Sequence, residues 1–119
     1  MELKEYQEKA MTTCMASSNN FSYMFLNLVG EVGEFASKVA KAIRKEKACI
    51  DCDVLMMNGC QHNEVEDLQK EAGDILWQLS GLCTVMGWSL EDIAQQNLDK
   101  LAARKAVGTI DGNGDGIIR

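Results

Sequence analysis

Four acidic residues fall into two pairs with the same internal spacing, Glu31 with Glu34 and Glu71 with Asp74. Residues three apart on a helix face the same way, so each pair is a two-pronged oxygen donor. If the two helices pack antiparallel, all four carboxylates surround one small volume. Hard cations such as Mg²⁺ favour that oxygen-rich setting and keep several of their waters. Held there, they neutralise phosphate oxygens, orient a substrate and lower the pKa of water, which is most of what phosphoryl chemistry requires. A single E-x-x-E is common on solvated helices and says little by itself. Two such pairs, one of them on a strongly apolar helix, are far more specific. Carboxylates beside a buried surface are costly unless they are paired or bind metal.

Other residues offer chemistry with more ordinary competing explanations. Ile93, Asn97, Lys100, Leu101 and Arg104 share one side of a helical segment. Lysine and arginine on such a face can meet phosphates, or can bury their stems and keep their charges in water. Cys49-x-x-Cys52 followed by Cys60 and His62 could supply four zinc ligands, although Cys-x-His is a tight second half-site. The simpler reading there is unpaired thiols in a loop. Asp111, Asn113 and Asp115 copy the first half of a calcium loop, but its closing acid would fall beyond Arg119. A turn-rich flap is the better expectation. The single histidine excludes a di-iron bundle built on paired Glu-x-x-His motifs and makes no persuasive nucleophilic triad. Cys14 and Cys83 read as packing residues.

The elements that must position these residues read as helices. Proline is absent, and the middle of the chain is rich in Ala, Leu, Met, Glu, Gln and Lys. Four helical segments are expected, over about Leu3–Ala16, Tyr23–Lys45, Glu64–Met86 and from Ser89 to Ala106. The third begins with Asn63 and Glu66 as a capping box, and the fourth with Ser89 and Asp92. Between the second and third lies a mixed stretch, 46–62, that holds three of the five cysteines. The whole is an all-α bundle of about four helices in one domain, 1–119, with a glycine-rich tail over 108–119.

The second helix has three faces. Phe25, Leu28, Val32, Phe35, Val39 and Ile43 form an apolar stripe. Gly30, Gly33, Ser37 and Ala40 form a small-residue strip that another helix could approach closely. Asn27, Glu31, Glu34, Lys38, Lys41 and Lys45 form a polar strip, of which Lys41 and Lys45 read as plainly solvated. The third helix is apolar nearly all round after Gly73, as buried helices are. Yet Asp67, Glu71, Asp74 and Gln78 line up along one side of it.

The net charge of −6 argues against general nucleic-acid binding. It also means that a polyanionic substrate needs metal to offset repulsion. No apolar run reaches the length of a membrane span, and the N-terminus lacks a signal peptide's apolar segment. An odd number of cysteines without an export signal suggests reduced thiols in the cytoplasm. A chain this small cannot build a deep enclosed pocket, so a site at a subunit interface is one solution.

The run Asn27-Leu28-Val29-Gly30-Glu31-Val32-Gly33-Glu34, followed by Lys70-Glu71-Ala72-Gly73-Asp74-Ile75-Leu76-Trp77, resembles the MazG-like NTP pyrophosphohydrolases. The likeness extends to Asn97-Leu98-Asp99-Lys100-Leu101, and from Arg104 into the tail around Gly108–Asp115. It implies an all-α fold in which Glu31, Glu34, Glu71 and Asp74 bind Mg²⁺ (or Mn²⁺). Water activated there would cleave a nucleoside triphosphate between its α- and β-phosphates. The resemblance also implies nucleotide contacts from Asn97 and Lys100 and a homodimer or homotetramer, while Arg104 is a substrate-binding candidate from its place on the same helix face. The linker between the acidic pairs is longer than that family's usual spacer. The competing functional class is a non-catalytic helical interaction module, with a structural zinc on Cys49, Cys52, Cys60 and His62.

Overall fold

A computed structural model gives the arrangement of the chain and describes residues 1–108. The expected flap and half calcium loop, beyond Gly108, lie outside the described residues. The elements in order are α1 (Leu3–Met11), a 3₁₀ turn (Ala16–Ser18), α2 (Phe21–Arg44), β1 (Cys49–Asp51), β2 (Val54–Met56), α3 (His62–Val85) and α4 (Leu90–Ala106). The all-α expectation holds. The mixed stretch adds one small antiparallel hairpin, with Ile50 opposite Leu55. Its two turn residues, Cys52 and Asp53, both have positive φ, 50° and 65°, as a tight two-residue hairpin turn demands.

Local chemistry explains where the helices start and stop. α1 ends at Met11 rather than Ala16. The hydroxyls of Thr12 and Thr13 donate back to the carbonyls of Lys9 and Ala10, at 2.6 and 2.7 Å, and compete with further helix. α2 begins at Phe21 because the Asn20 side chain accepts the Tyr23 N–H at 2.8 Å. It closes in a Schellman turn. Lys47 N–H donates to the Ala42 carbonyl and Glu46 N–H to that of Ile43, with Glu46 at φ 62°. α3 starts earlier than the Asn63/Glu66 pattern suggests. Gln61 is its N-cap, and its N–H donates to the Glu64 carboxylate at 3.0 Å. A second Schellman turn ends α3 at Gly87, φ 71°, where Trp88 N–H donates to the Cys83 carbonyl at 2.7 Å. Ser89 caps α4 as expected, accepting from Asp92 N–H at 3.3 Å.

α2 and α3 form the main packed pair, and α1 lies against α3 and α4. The tightest approach is at Gly81, where any Cβ would run into the sulfur and terminal methyl of Met24. Met24, Cys83 and Ser80 are fully buried around that point. α1 is tied on by polar links. Trp77 Nε1 donates to Ala10 O and Thr13 Oγ1. Gln7 donates to Thr84 Oγ1 and Trp88 O, and accepts from Leu90 N–H at 2.8 Å.

Burial within one chain falls short of what the apolar pattern suggests. Leu76, Leu79 and Leu82 of α3 are only half-buried. On α2, Phe25, Val32 and Ile43 are exposed, and so are Leu26 and Val29. Gly30, Gly33, Ser37 and Ala40 are exposed as well, and a Cβ on Gly33 would meet nothing within 4 Å. No described helix of this chain uses that strip for close approach. No described helix is long and apolar enough to cross a membrane.

Candidate metal centre

The antiparallel pairing of α2 and α3 brings the two acidic pairs together. One oxygen from each of Glu31, Glu71 and Asp74 lies within 4.8 Å of the others. Glu34 lines the same concavity, with Asn27 and Gly30, but stands outside that close triad. The Glu34 side chain is exposed. The concavity is open, with a volume of about 390 Å³.

Like charges crowd here. The Glu31 carboxyl is held above its usual pKa, first by burial and then by the charges of Asp74, Glu71 and Glu34. Glu71 is the more enclosed acid, 12% exposed, and Lys38 pairs with it at 2.7 Å. Lys38, one turn beyond Glu34, is in turn held above its ordinary value, chiefly by that hydrogen bond. The donor set suits a hard divalent cation. It is all carboxylate oxygen, it converges on one point, and its negative charge is only partly offset by the single lysine. Paired on one oxygen, a carboxylate still has the other to offer.

Sequence reasoning missed two neighbours of this centre. Tyr6, on α1, lies close enough to Asp74 that its phenol is pushed above the ordinary range, first by burial and then by that charge. It stays protonated at neutral pH and can donate. No local pattern in α1 announces this, because the contact exists only once α1 has docked on α3. Lys38 was visible in the polar strip, but its pairing across to Glu71 was not. Gln78, in line with Asp74, is buried, 5% exposed. Among the described residues its side-chain oxygen accepts no hydrogen bond.

The other sequence candidates lie apart. Asn97 and Lys100 are exposed on α4, and Arg104 is buried, 7% exposed. None of the three lines the acidic concavity. Cys49, Cys52, Cys60 and His62 do not assemble either. Among the described residues, the His, Cys, Asp and Glu side chains that converge for a metal are Glu31, Glu71 and Asp74. His62 instead pairs with Glu66 at 2.7 Å, and the Cys60 thiol donates to the Lys47 carbonyl at 3.6 Å. The zinc reading therefore loses its geometric basis.

Comparison with known proteins gives the family of the chain. Residues 19–108 match the family described as MazG nucleotide pyrophosphohydrolase domain. A relative called Gene 37 protein, from Mycobacterium phage L5, is 38% identical over 99 residues, covering 83% of this chain and 78% of the relative. No solved structure matches the chain. The family match spans both acidic pairs and the helices that carry them, and the chain belongs to the MazG nucleotide pyrophosphohydrolase domain family.

Proposed function

We propose that this protein is a Mg²⁺-dependent pyrophosphohydrolase that converts a nucleoside or deoxynucleoside triphosphate to the monophosphate and pyrophosphate. The observation that carries the reading is the convergence of Glu31, Glu71 and Asp74 within 4.8 Å on the two helices that the family match covers. Glu31, Glu71 and Asp74 would hold a Mg²⁺ or Mn²⁺ ion, with Glu34 joining them by rotation of its side chain, and the ion would supply charge neutralisation at phosphate oxygens and a more acidic water. Tyr6 stays protonated beside Asp74 and can donate on that side of the site.

The same reading includes a homo-oligomer. Phe21, Phe25, Leu26, Val29 and Val32 expose 44–66% of their surface along α2, next to the glycines at 30 and 33. Stacked rings of Phe21 and Phe25, 5.6 Å apart and 8° from parallel, stiffen that face. Exposed apolar patches of this kind mark association surfaces. Asn97 and Lys100 keep a nucleotide role only across such an interface, from the free side of α4.

The test is a screen of the common NTPs and dNTPs for metal-dependent pyrophosphate release, with light scattering on the same sample. Release that stops in chelator, from an assembly larger than one chain, supports both parts. A monomer that releases pyrophosphate would refute the assembly alone.

A further inference from the structure

Beside the acidic concavity, at the hairpin end of the α2–α3 groove, lies a second cleft of about 240 Å³. Its walls carry Lys38, Lys41, Lys45 and Lys47 against Glu64 and Asp67. Four cations facing two carboxylates make a positive pocket in a chain whose net charge is −6. Lys38 is committed to Glu71, and Lys47 to Glu64 at 2.9 Å. Among the described residues neither Lys41 nor Lys45 forms an ion pair. Their charges face the cleft and water.

The two sites are one continuous strip. Glu31, Glu34, Lys38, Lys41 and Lys45 follow one another on α2 at spacings of three and four, so a single face turns from acidic to basic along its length. Lys38 lies seven positions beyond Glu31, about 10 Å along the axis. Helix side chains tilt toward the N-terminus, which leans Lys38, Lys41 and Lys45 back toward the carboxylates. The fourth lysine comes from outside the helix and is held firmly. Lys47 is fixed by the Schellman turn at Ala42, and its carbonyl accepts the Gly59 N–H at 2.9 Å. A Cβ at Gly59 would strike the Lys47 backbone at 2.7 Å. Only glycine lets the loop press Lys47 into this place.

We propose that this lysine cleft is the subsite for the β- and γ-phosphates of the substrate, and so for the pyrophosphate that leaves. The inference rests on the hydrolase reading and adds to it the direction in which the nucleotide lies. Hydrolysis forms a bond from water oxygen to the α-phosphorus and breaks the bond from that phosphorus to the bridging oxygen. The bridging oxygen keeps the electron pair and departs with pyrophosphate, and the proton of water is released to solvent. Lys41, Lys45 and Lys47 meet the charge that builds on the departing group, while the α-phosphate lies at the acidic end, where Glu31, Glu71 and Asp74 would hold a cation. The nucleoside then extends away from the hairpin, toward Asn27. The subsite selects triphosphates over diphosphates, because a diphosphate leaves the distal lysines without an anion.

The experiment uses the full chain and the double variant Lys41→Ala/Lys45→Ala. Both residues are exposed, and thermal melts verify that the variant is folded. Loss of charge-assisted contacts is expected to raise KM for a triphosphate about tenfold or more. Inhibition by inorganic pyrophosphate should weaken in parallel, inhibition by the monophosphate product should not change, and Lys41→Arg/Lys45→Arg should restore most of the loss. Unchanged KM and unchanged pyrophosphate inhibition in the alanine variant would overturn the subsite while leaving the hydrolase intact. If the unmodified chain turns over no triphosphate, the hydrolase reading fails. Calorimetry with inorganic pyrophosphate then decides the cleft separately: lysine-dependent binding keeps an anion site, and equal binding by the alanine variant removes it.

Discussion

Lys38 on α2 and Glu71 on α3 meet at 2.7 Å, and the carboxylate of that pair is only 12% exposed. The ion pair sits where the acidic concavity gives way to the lysine cleft, and it pins the two helices in register at that point. It would also set the charge felt by a cation held at the proposed site of Glu31, Glu71 and Asp74.

Replacing that lysine separates its two roles. In Lys38→Met, Glu71 loses its counter-charge while only 12% exposed, so the metal-free protein is expected to melt a few degrees lower. A divalent cation no longer competes with an ammonium group for Glu71, so Mg²⁺ should bind more tightly and raise the melting temperature by more than in the parent. Thermal melts with and without Mg²⁺ check both directions. A smaller Mg²⁺ shift in the variant would mean that Lys38 orients Glu71 for the ion rather than competing with it.

Glu31 gives the opposite signature. Its folded pKa is raised, by burial first and by Asp74, Glu71 and Glu34 after that. A carboxyl shifted upward favours the fold while protonated, and that contribution is lost as pH rises through the folded value. Glu31→Gln cannot ionise. It is therefore expected to be more stable than the parent at neutral pH without metal, with the gap closing as the buffer is taken below the ordinary carboxylate range. The same variant should lose most of its stabilisation by Mg²⁺. Melts across pH that show no gap at neutrality would mean that the carboxylates do not repel one another strongly enough to matter.

The junction of α2 and α3 depends on one absent side chain. Gly81→Ala puts a methyl into the fully buried Met24 side chain, and overpacking of this kind costs about 1–3 kcal/mol. Met24→Val in the same chain makes room, so the double variant should lose less stability than the two single losses added together. Urea unfolding of the four proteins measures the coupling. Simple additivity would show that Met24 swings aside at little cost.

Much of this arrangement was legible in the sequence, and the exceptions have physical causes. The i, i+3 acidic pairs and the apolar periods of α2 and α3 are local patterns, and they mark the centre and the helices that carry it. Thr12 and Thr13 shorten α1 through side-chain bonds that hydrophobic pattern does not register. Gln61 and Glu64 repeat the cap spacing of Asn63 and Glu66 two residues earlier, so spacing alone cannot choose between them. The hairpin has three-residue strands and turns on Cys52 and Asp53, without the glycine or asparagine that usually announces such a turn. Lys41 and Lys45 are exposed, as their polar strip suggests, but the wall that makes a cleft beside them, with Lys47, Met57 and Cys60, comes from that same unannounced loop.

A pyrophosphohydrolase built on this acidic centre would cleave a triphosphate between its α- and β-phosphates. Phosphorus NMR of a triphosphate incubated with the protein and Mg²⁺ tests it most directly, because the two products of each cleavage have different resonances. Monophosphate and pyrophosphate are expected to appear together, with no signal growth in chelator and none with Asp74→Asn despite an unchanged fold. Orthophosphate with a diphosphate, or turnover that survives Asp74→Asn, would contradict it.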